Sequence, residues 1–425
     1  MGKLRNSKDI YVEYKKPLTI VKTIFLCWGF ITVVNPFLIR ELSDGVGFTD
    51  DQNNLLAYVF YATYFFFGIS GAILINKFGF KKALMYGLGV AASSVFLMVT
   101  GARSADFNLI FIAVVIQGAG FSILQVAANP YVILIGSPEQ GSSRLSGAGA
   151  YNSFGTWLAP LMGSLIAAAG VPQDLIDGQN ILAIQSFKTE LVVLPYVLIT
   201  VVFVGMIVLV NFSDIPAIDA IKDINTNIKN DNRKYVLQYK HVILGFFAVF
   251  FYVGAEVSIA SKLFDFLKSH IEDGDLENSI SYIIPYYWGG AMVGRFVGAE
   301  ILKETKTSKA LFGASVLAIV FLSMALATPT QGAMFMILGV GLFNSIMWPT
   351  IFELGVHGLG KFTAYASSVL IMGIVGGAAV PLVVNTMIED YGYSLNVALC
   401  VPIVCYMYIA YFALKGHKYD AIEEY

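Results

Sequence analysis

The chain has 425 residues, of which 57% are hydrophobic and 13% are charged, and its mean hydropathy is +0.70. Soluble globular proteins carry about 25% charged residues, so the composition excludes a soluble enzyme. The formal net charge of −2 gives no basic surface for nucleic acid. Cys27, Cys400 and Cys405 lie in apolar stretches without the spacing of a disulfide framework or a metal site. The composition indicates a polytopic membrane protein without a cofactor.

Twelve long apolar stretches predict transmembrane helices, because a helix of about 20 apolar residues crosses the hydrocarbon of a bilayer. In chain order, the predicted spans are 19–40, 54–76, 83–102, 107–136, 144–170, 190–212, 241–267, 278–302, 308–328, 332–355, 363–387 and 394–414. The predicted fold class is an all-α membrane protein.

Lys and Arg residues fall unequally on the two sides of these spans. With the N-terminus in the cytoplasm, 22 of the 27 lie on the cytoplasmic side. The other five are Arg40, Arg103, Lys188, Lys262 and Lys268. Because cytoplasmic loops carry the excess of positive charge, we expect both termini in the cytoplasm.

The loop between the second and third spans contains Lys77, Gly79 and Lys81 at the spacing of the major-facilitator loop motif. Asn76 and Phe80 replace its acidic position and one of its basic positions. The match is degraded, and the motif alone indicates little.

The two halves of the chain repeat each other weakly. Pro130 in NPYVILIG corresponds to Pro349 in WPTIFELG, and Pro160 corresponds to Pro381 at nearly the same offset along the chain. A nearly constant offset indicates duplication of a six-helix unit, as in the major-facilitator architecture with its pseudo-twofold axis. The predicted parts are a first six-helix half at 1–212, a cytoplasmic linker at 213–240 and a second half at 241–425. The linker is either a solvated loop or a regulatory contact site.

Polar residues recur at helical spacing inside several spans, where each must face the bundle interior or a wet cavity. They include Thr32, Asn35, Ser122, Gln125, Asn129, Asn152, Tyr252, Tyr287, Trp288, Asn344 and Trp348. They either hold helices together by hydrogen bonds or line a binding cavity. Amide and hydroxyl groups offer donors and acceptors together, which with flanking aromatic rings suits a neutral polyhydroxylated ligand. An anionic ligand would need arginines.

Glu256 is a carboxylate near the centre of the seventh span. A charge there costs about 2.5–3.5 kcal/mol by insertion scales, so it is protonated, paired or bound to a cation. It either couples transport to a proton or sodium ion or makes a structural hydrogen bond.

Four further charges, Glu139, Arg144, Arg295 and Glu353, lie near cytoplasmic helix ends in the predicted topology. They are either an inner gate of ion pairs or solvated interface charges.

Seven motifs carry a resemblance that runs through both halves. They are GFITVVN (29–35), LQVAANPYV (124–132), YNSFGT (151–156), FFYVGAEVSIAS (250–261), YYWGGAMVGRF (286–296), FNSIMWPTIFELG (343–355) and IVGGAAVPL (374–382). The chain resembles the fucose–proton symporter family of the major facilitator superfamily, and within it the bacterial glucose/galactose transporter branch. The resemblance implies a transporter in the cytoplasmic (inner) membrane of a bacterium.

The resemblance also implies roles for single residues. Gln125 occupies the family's acidic position in the fourth span, and Pro36 stands where both branches have an aspartate in the first. That departure puts the family's proton pathway in doubt. Glu256 matches a glutamate of the glucose/galactose branch, Asn152 a sugar-contacting asparagine and Trp348 an aromatic residue beside the sugar. Some members of this branch couple to sodium.

We therefore expect a secondary active transporter of glucose or galactose, working by alternating access. Sodium, bound at Glu256, is the first choice of coupling ion and a proton the second; an uncoupled uniporter is the alternative. Fucose, mannose and N-acetylglucosamine remain possible substrates, and a non-transporting sugar sensor is the least favoured interpretation. The predicted substrate-binding residues are Asn35, Gln125, Asn129, Asn152, Glu256, Trp288, Asn344 and Trp348.

The other expected partners are the coupling cation and the lipid bilayer, and we expect a monomer that binds no nucleic acid. A membrane-embedded enzyme is disfavoured because the four histidines, His241, His270, His357 and His417, lie at span ends or in loops and are not grouped.

Overall fold

Twelve membrane-length helices run through the part of the chain that the structure describes. The structure is a computed structural model and describes residues 7–46, 48–169, 172, 181–216, 235–270 and 276–418. Nine helical segments among them are long and apolar enough to cross a membrane, and one, Asp51–Ser104, has 54 residues, enough for two crossings. Two further helices, Gly141–Ala169 and Leu276–Glu304, have 29 residues each.

The helices follow the predicted order along the chain. α1 is Ser7–Val46, α2 and α3 share the element Asp50–Ser104, α4 is Phe107–Leu134, α5 is Gly141–Ala169, α6 is Ile181–Phe212, α7 is Lys240–Lys268, α8 is Leu276–Glu304 and α9 is Thr307–Ala327. α10 comprises Gly332–Asn344 and Met347–Val356, α11 comprises Thr363–Met372, Gly373–Val375 and Gly376–Glu389, and α12 comprises Leu395–Ala398, Cys400–Tyr411 and Phe412–Gly416. No strand occurs in these residues. The predicted all-helical fold is confirmed.

A one-residue break at Gly79 separates α2 from α3. Its φ of 80° is in the left-handed region that favours glycine. Two residues later, the Lys81 Nζ donates to the carbonyl oxygens of Asn211 and Ser213, each at 2.8 Å. Carbonyls at a helix end lack intrahelical partners and carry the negative end of the helix dipole. Lys81 therefore caps α6 and ties the α2–α3 turn to it.

Lys81→Met removes both of these hydrogen bonds. We expect the variant to lose about 1 kcal/mol of stability, since the lost bonds are charge-assisted but partly exposed to solvent. This loss of stability is measured as a lower apparent melting temperature of the detergent-purified protein. The matched control is Lys82→Met, which changes the exposed neighbouring lysine. Equal melting temperatures of the two variants would contradict the capping role.

Glycines allow α1 and α5 to pack with their backbones in close approach. A Cβ placed on Gly155 would lie 2.7 Å from the backbone nitrogen of Phe30, and one on Gly29 would lie 2.7 Å from the Asn152 Nδ2. Small residues at such crossings are the usual basis of helix association in lipid.

Gly155→Ala is expected to destabilise this crossing by about 1–3 kcal/mol, because the added methyl group forces the two backbones apart. The control is Gly205→Ala on α6, where an added Cβ meets nothing within 4 Å. Thermal unfolding of both variants measures the difference. A Gly155→Ala protein as stable as the Gly205→Ala protein would overturn the assignment.

The first six helices form one half of the bundle and the last six the other. Of the predicted linker 213–240, residues 217–234 lie outside the described residues, so the boundaries 1–212, 213–240 and 241–425 stay predictions.

The halves are joined where α5 meets α8 and α9. The Ser143 Oγ donates to the Ala299 carbonyl oxygen at 2.6 Å, and the Ser146 Oγ donates to the Arg295 carbonyl oxygen at 2.9 Å. The hydroxyl oxygens of Ser142 and Thr307 lie 3.1 Å apart. All of these contacts lie toward the end of the bundle where α1 begins and α12 ends, here called the terminal face. The two halves are therefore closed together at the terminal face.

A second seam between the halves runs along α11. The Ser367 Oγ donates to the Val126 carbonyl oxygen on α4, and the Ser368 Oγ donates to the Gly68 carbonyl oxygen on α2, both at 2.9 Å. Farther from the terminal face, the Asn385 Nδ2 donates to the Tyr58 Oη at 3.0 Å. α2 and α11 thus stay in contact along most of their length.

Candidate functional site

A cavity of about 750 Å³ lies between the halves, toward the face opposite the terminal face. Its lining residues are Thr32, Asn35, Ile39, Asp51, Asn53, Asn54, Leu56, Ala57, Phe60, Tyr61, Val114, Gln117, Val257 and Glu389. They come from α1, α2, α4, α7 and α11. Because the terminal face is closed, a solute could enter this cavity from the opposite face.

Glu256 lies at the centre of a polar cluster in the second half. It is half-buried, and its Oε1 accepts a hydrogen bond from the Tyr252 Oη at 3.0 Å, one turn earlier on α7. The buried side chains of Tyr287 on α8 and Asn344 on α10 lie nearby, and the Asn344 Nδ2 donates to the Tyr287 Oη at 3.2 Å. Tyr406 of α12 also lies within electrostatic range of Glu256. Hydroxyl and amide groups therefore surround the single carboxylate.

Arg295 on α8 connects this cluster to the first half. Its charge acts on Glu256, while its guanidinium makes hydrogen bonds elsewhere. It donates to the carbonyl oxygens of Ser345 and Gly149, each at 3.4 Å, and to the hydroxyl oxygen of Ser153. Gly149 and Ser153 lie on α5, so Arg295 links the two halves beside Glu256.

The amides of the first half are tied to tyrosines. The Asn35 Oδ1 accepts from the Tyr196 Oη at 2.9 Å, and the Gln125 Nε2 donates to the Tyr64 Oη at 3.0 Å. Asn129 lies one turn below Gln125, and its Nδ2 donates to the Gln125 carbonyl oxygen at 3.1 Å. The Asn129 Oδ1 is buried and has no hydrogen-bond partner among the described residues. Tyrosine hydroxyls thus orient the amides expected to bind sugar.

The remaining predicted binding residues have surroundings that differ from one another. Trp348 packs against Tyr252, with ring centroids 6.3 Å apart, and so belongs to the Glu256 cluster. The Asn152 Nδ2 donates to the Phe25 carbonyl oxygen at 3.0 Å, which ties α5 to α1. Trp288 contacts Tyr287 edge-on and is partly buried against the core. Of the eight residues, Asn35 alone lines the cavity.

The predicted gate residues do not form one cluster. Arg144 donates from its Nε, Nη1 and Nη2 to the carbonyl oxygens of Val132, Ser137 and Ile133, which lie around the end of α4. Arg295 lies deeper in the bundle, beside Glu256. The expectation of four charges at helix ends is therefore corrected for Arg295, because span boundaries say nothing about how far a long side chain lies from a helix end.

The other two gate residues lie near Arg144. The buried Glu353 of α10 approaches α5, where a Cβ on Gly141 would lie 3.3 Å from its Cγ. Glu139 is exposed in the turn before α5, and a hydrogen bond from the Ser137 hydroxyl holds the pKa of its carboxyl below the usual value. That carboxyl is therefore ionised at neutral pH, and Arg144 lies within electrostatic range of both Glu139 and Glu353.

Arg295 bears on the choice between the predicted sodium ion and a proton at Glu256. The positive charge of Arg295 acts on the same carboxylate and would repel a second cation. A proton on Glu256 would need no further ligands.

Several residues of the site were not among the predicted binding residues. Tyr61, Tyr64, Tyr196 and Gln117 all lie beside the predicted amides or line the cavity. A buried tyrosine needs a hydrogen-bond partner for its hydroxyl, so the pair Tyr61 and Tyr64, at helical spacing in an apolar span, was an available signal. Gln117 was a second one, since it lies two turns before Gln125 on the same helix.

Known proteins share this architecture. The sequence profile of the Major Facilitator Superfamily matches residues 22–381. The chain is 35% identical to the glucose/galactose transporter of Brucella abortus biovar 1 (strain 9-941) over 406 residues, which is 96% of this chain and 95% of the relative. It is 27% identical to the L-fucose-proton symporter of Escherichia coli (strain K12) over 416 residues, covering 94% and 93% of the two chains.

Among solved structures, the chain is similar to the major facilitator superfamily transporter FucP in its outward conformation. The TM-score is 0.82 at 25% identity, with 94% of this chain and 98% of that chain covered. The proton:xylose symporter XylE has the same fold, with a TM-score of 0.70 at 12% identity and 95% of each chain covered.

Proposed function

Because the chain belongs to the major facilitator superfamily, we propose that it is a secondary active transporter of glucose or galactose that works by alternating access of its two six-helix halves. The relative named as a glucose/galactose transporter aligns over nearly the whole of both chains, which supports this class of substrate. The predicted residues Asn35, Gln125, Asn129, Asn152, Glu256, Trp288, Asn344 and Trp348 are the proposed binding set.

The observation that carries the proposal is the composition of the path between the halves. Tyrosine hydroxyls orient Gln125 and Asn35 in the first half and Asn344 in the second. Neutral donors and acceptors of this kind match the hydroxyl groups of a sugar, which present both. Trp348 adds an apolar ring face beside Glu256. An anionic substrate would meet one arginine, and that arginine is engaged across the halves.

We propose a proton as the coupling ion, carried by Glu256. The Tyr252 hydroxyl donates to the Glu256 carboxylate and Arg295 places a positive charge near it, so the ionised form has partners inside the bundle. The protonated form needs no partner beyond the carboxyl group itself. The relative from Escherichia coli is named as a proton symporter, which supports the same choice. Sodium coupling and, because Pro36 replaces an acidic residue, uncoupled uniport are the alternatives.

The proposed orientation places the terminal face in the cytoplasm of a bacterium and the cavity on the outer side of its inner membrane, following the charge distribution. In this state the gate residues Glu139, Arg144 and Glu353 lie near the closed cytoplasmic side, and Arg295 lies deeper in the bundle. Opening inward must separate Ser143 and Ser146 from their carbonyl partners on α8.

Uptake of labelled glucose and galactose into proteoliposomes tests the function. An inward proton gradient is expected to drive accumulation, and a sodium gradient alone is not. Equal uptake under a proton gradient, under a sodium gradient and without any gradient would establish a uniporter. Sugar binding in detergent without counterflow across a bilayer would establish a sensor. A thermal-shift screen that includes fucose, mannose and N-acetylglucosamine identifies the preferred monosaccharide.

A further inference from the structure

Tyr61 lies at the boundary between the outer cavity and the Glu256 cluster. It lines the cavity, and its hydroxyl lies within electrostatic range of Glu256. A Cβ on Gly377 would lie 2.7 Å from the Tyr61 Cδ1, so the ring of this first-half residue rests on the backbone of α11 in the second half. Tyr61 is therefore placed to act as the floor of the cavity.

The cavity is also displaced from the proposed binding amides. Gln117 lines it, and Gln125 lies eight residues farther along α4, which is about 12 Å deeper toward the terminal face. Gln125 itself is held by Tyr64, one turn below Tyr61 on α2. The outer cavity and the inner cluster are thus two spaces on one path, with Tyr61 between them.

Gln117 is the unusual residue of the outer cavity. Its side chain is 1% exposed, and its Oε1 has no hydrogen-bond partner among the described residues. A buried acceptor without a partner costs about 1–3 kcal/mol, and a leucine of similar size would avoid that cost. A ligand in the cavity can supply the partner once the amide turns toward it.

The rest of the lining defines the chemistry of such a ligand. The Asn35 Oδ1 is held by Tyr196, which leaves the amide nitrogen available to the cavity, and Phe60 and Tyr61 supply aromatic rings. The described lining residues include the carboxylates of Asp51 and Glu389 but no Lys or Arg, so an anion is disfavoured. A volume of about 750 Å³ is typical of sites for ligands larger than one hexose ring. One sugar therefore fits in the cavity and leaves part of its volume open.

We propose that the outer cavity is a second sugar site, anchored by Gln117 and floored by Tyr61, which binds a neutral hexose before Tyr61 moves to admit it to the Glu256 cluster. This inference rests on the proposed function, because it uses the same substrate class. The outward-facing protein then holds two sugars per chain, one above Tyr61 and one below.

Equilibrium dialysis of labelled glucose and galactose against the full-length purified protein tests the proposal by counting bound sugars. The wild type is expected to bind two per chain. Gln117→Leu is expected to bind one, with the affinity of the outer site lowered about tenfold or more by the lost amide. Gln125→Leu, the matched change two turns deeper, is expected to keep the outer sugar and lose the inner one.

Ala57→Phe guards against a folding effect at Gln117. Ala57 is exposed to the cavity, so the added ring fills the space without removing a polar group, and this variant is also expected to bind one sugar. A wild type that transports sugar but binds one per chain, or a Gln117→Leu protein that binds two, would overturn the outer site and leave the transporter function standing. A wild type that neither binds nor transports any monosaccharide would overturn both. Binding of choline in place of glucose at a Gln117-dependent site would show the ligand class to be wrong.

Discussion

Glu256→Gln is expected to abolish accumulation of sugar against its gradient while leaving exchange of sugar across the membrane intact. Glutamine resembles the protonated glutamate in shape and keeps a hydrogen-bonding group beside the Tyr252 hydroxyl. The variant can therefore bind sugar and change between its two faces. It cannot release a proton, so the proton gradient has no step on which to act. The accumulation ratio in proteoliposomes should fall to about one, as expected for uncoupled transport.

The experiment pairs uptake under a proton gradient with counterflow in the absence of any gradient. The matched control is Glu300→Gln, which neutralises an exposed carboxylate of α8 whose contact is with Lys303 at 2.7 Å. Full accumulation by the Glu256→Gln protein would refute the coupling role. Loss of both accumulation and counterflow would show that the carboxylate itself is needed to bind sugar.

Arg295→Ala is expected to lower both uptake and counterflow by about 100-fold or more. Two losses combine: α5 and α8 lose the guanidinium that joins them through Gly149 and Ser153, and Glu256 loses its positive neighbour. A hydrogen bond to a charged group contributes about 1.5–3 kcal/mol, and a factor of ten corresponds to about 1.4 kcal/mol. Loss of the two hydrogen bonds to α5 therefore corresponds to about 100-fold or more.

Arg295→Lys separates the two effects. It keeps the charge beside Glu256 but cannot reproduce the planar fork of donors, so we expect partial activity with sugar binding retained. Lys303→Ala at the exposed end of α8 is the control for loss of a positive charge on the same helix. Transport by the Arg295→Ala protein at the wild-type rate would show that transport does not require this arginine.

The twelve helices were predictable because each needs a long apolar stretch, and such stretches stand out in composition. Asn35, Gln125 and Asn344 were also predictable as buried polar residues, since a polar group in lipid must find a partner inside the bundle. Their partners were not, because Tyr64, Tyr196 and Tyr287 lie on other helices. Helical spacing shows which face of a helix a residue occupies, and it contains no information about which helix packs there.

Two predicted site residues make contacts that helical spacing could not show. The Asn152 amide spans the short distance to the Phe25 carbonyl that Gly29 allows. The Arg295 side chain lies deeper than a helix end, between Glu256 and α5. In both residues the depth of the side chain and the distance between two helices determine the contact.

The serine contacts of α11 determine how the halves can move past one another. Ser367 and Ser368 donate to main-chain carbonyls of α4 and α2, and a helix presents a carbonyl on the same face about once per turn, roughly 5.4 Å apart along its axis. A hydroxyl that leaves one carbonyl meets the next one on that face after a displacement of about one turn. The seam can therefore move by a one-turn step and regain main-chain acceptors at the end of it. The Asn385–Tyr58 pair farther along α11 joins two side chains, so it must break for such a step.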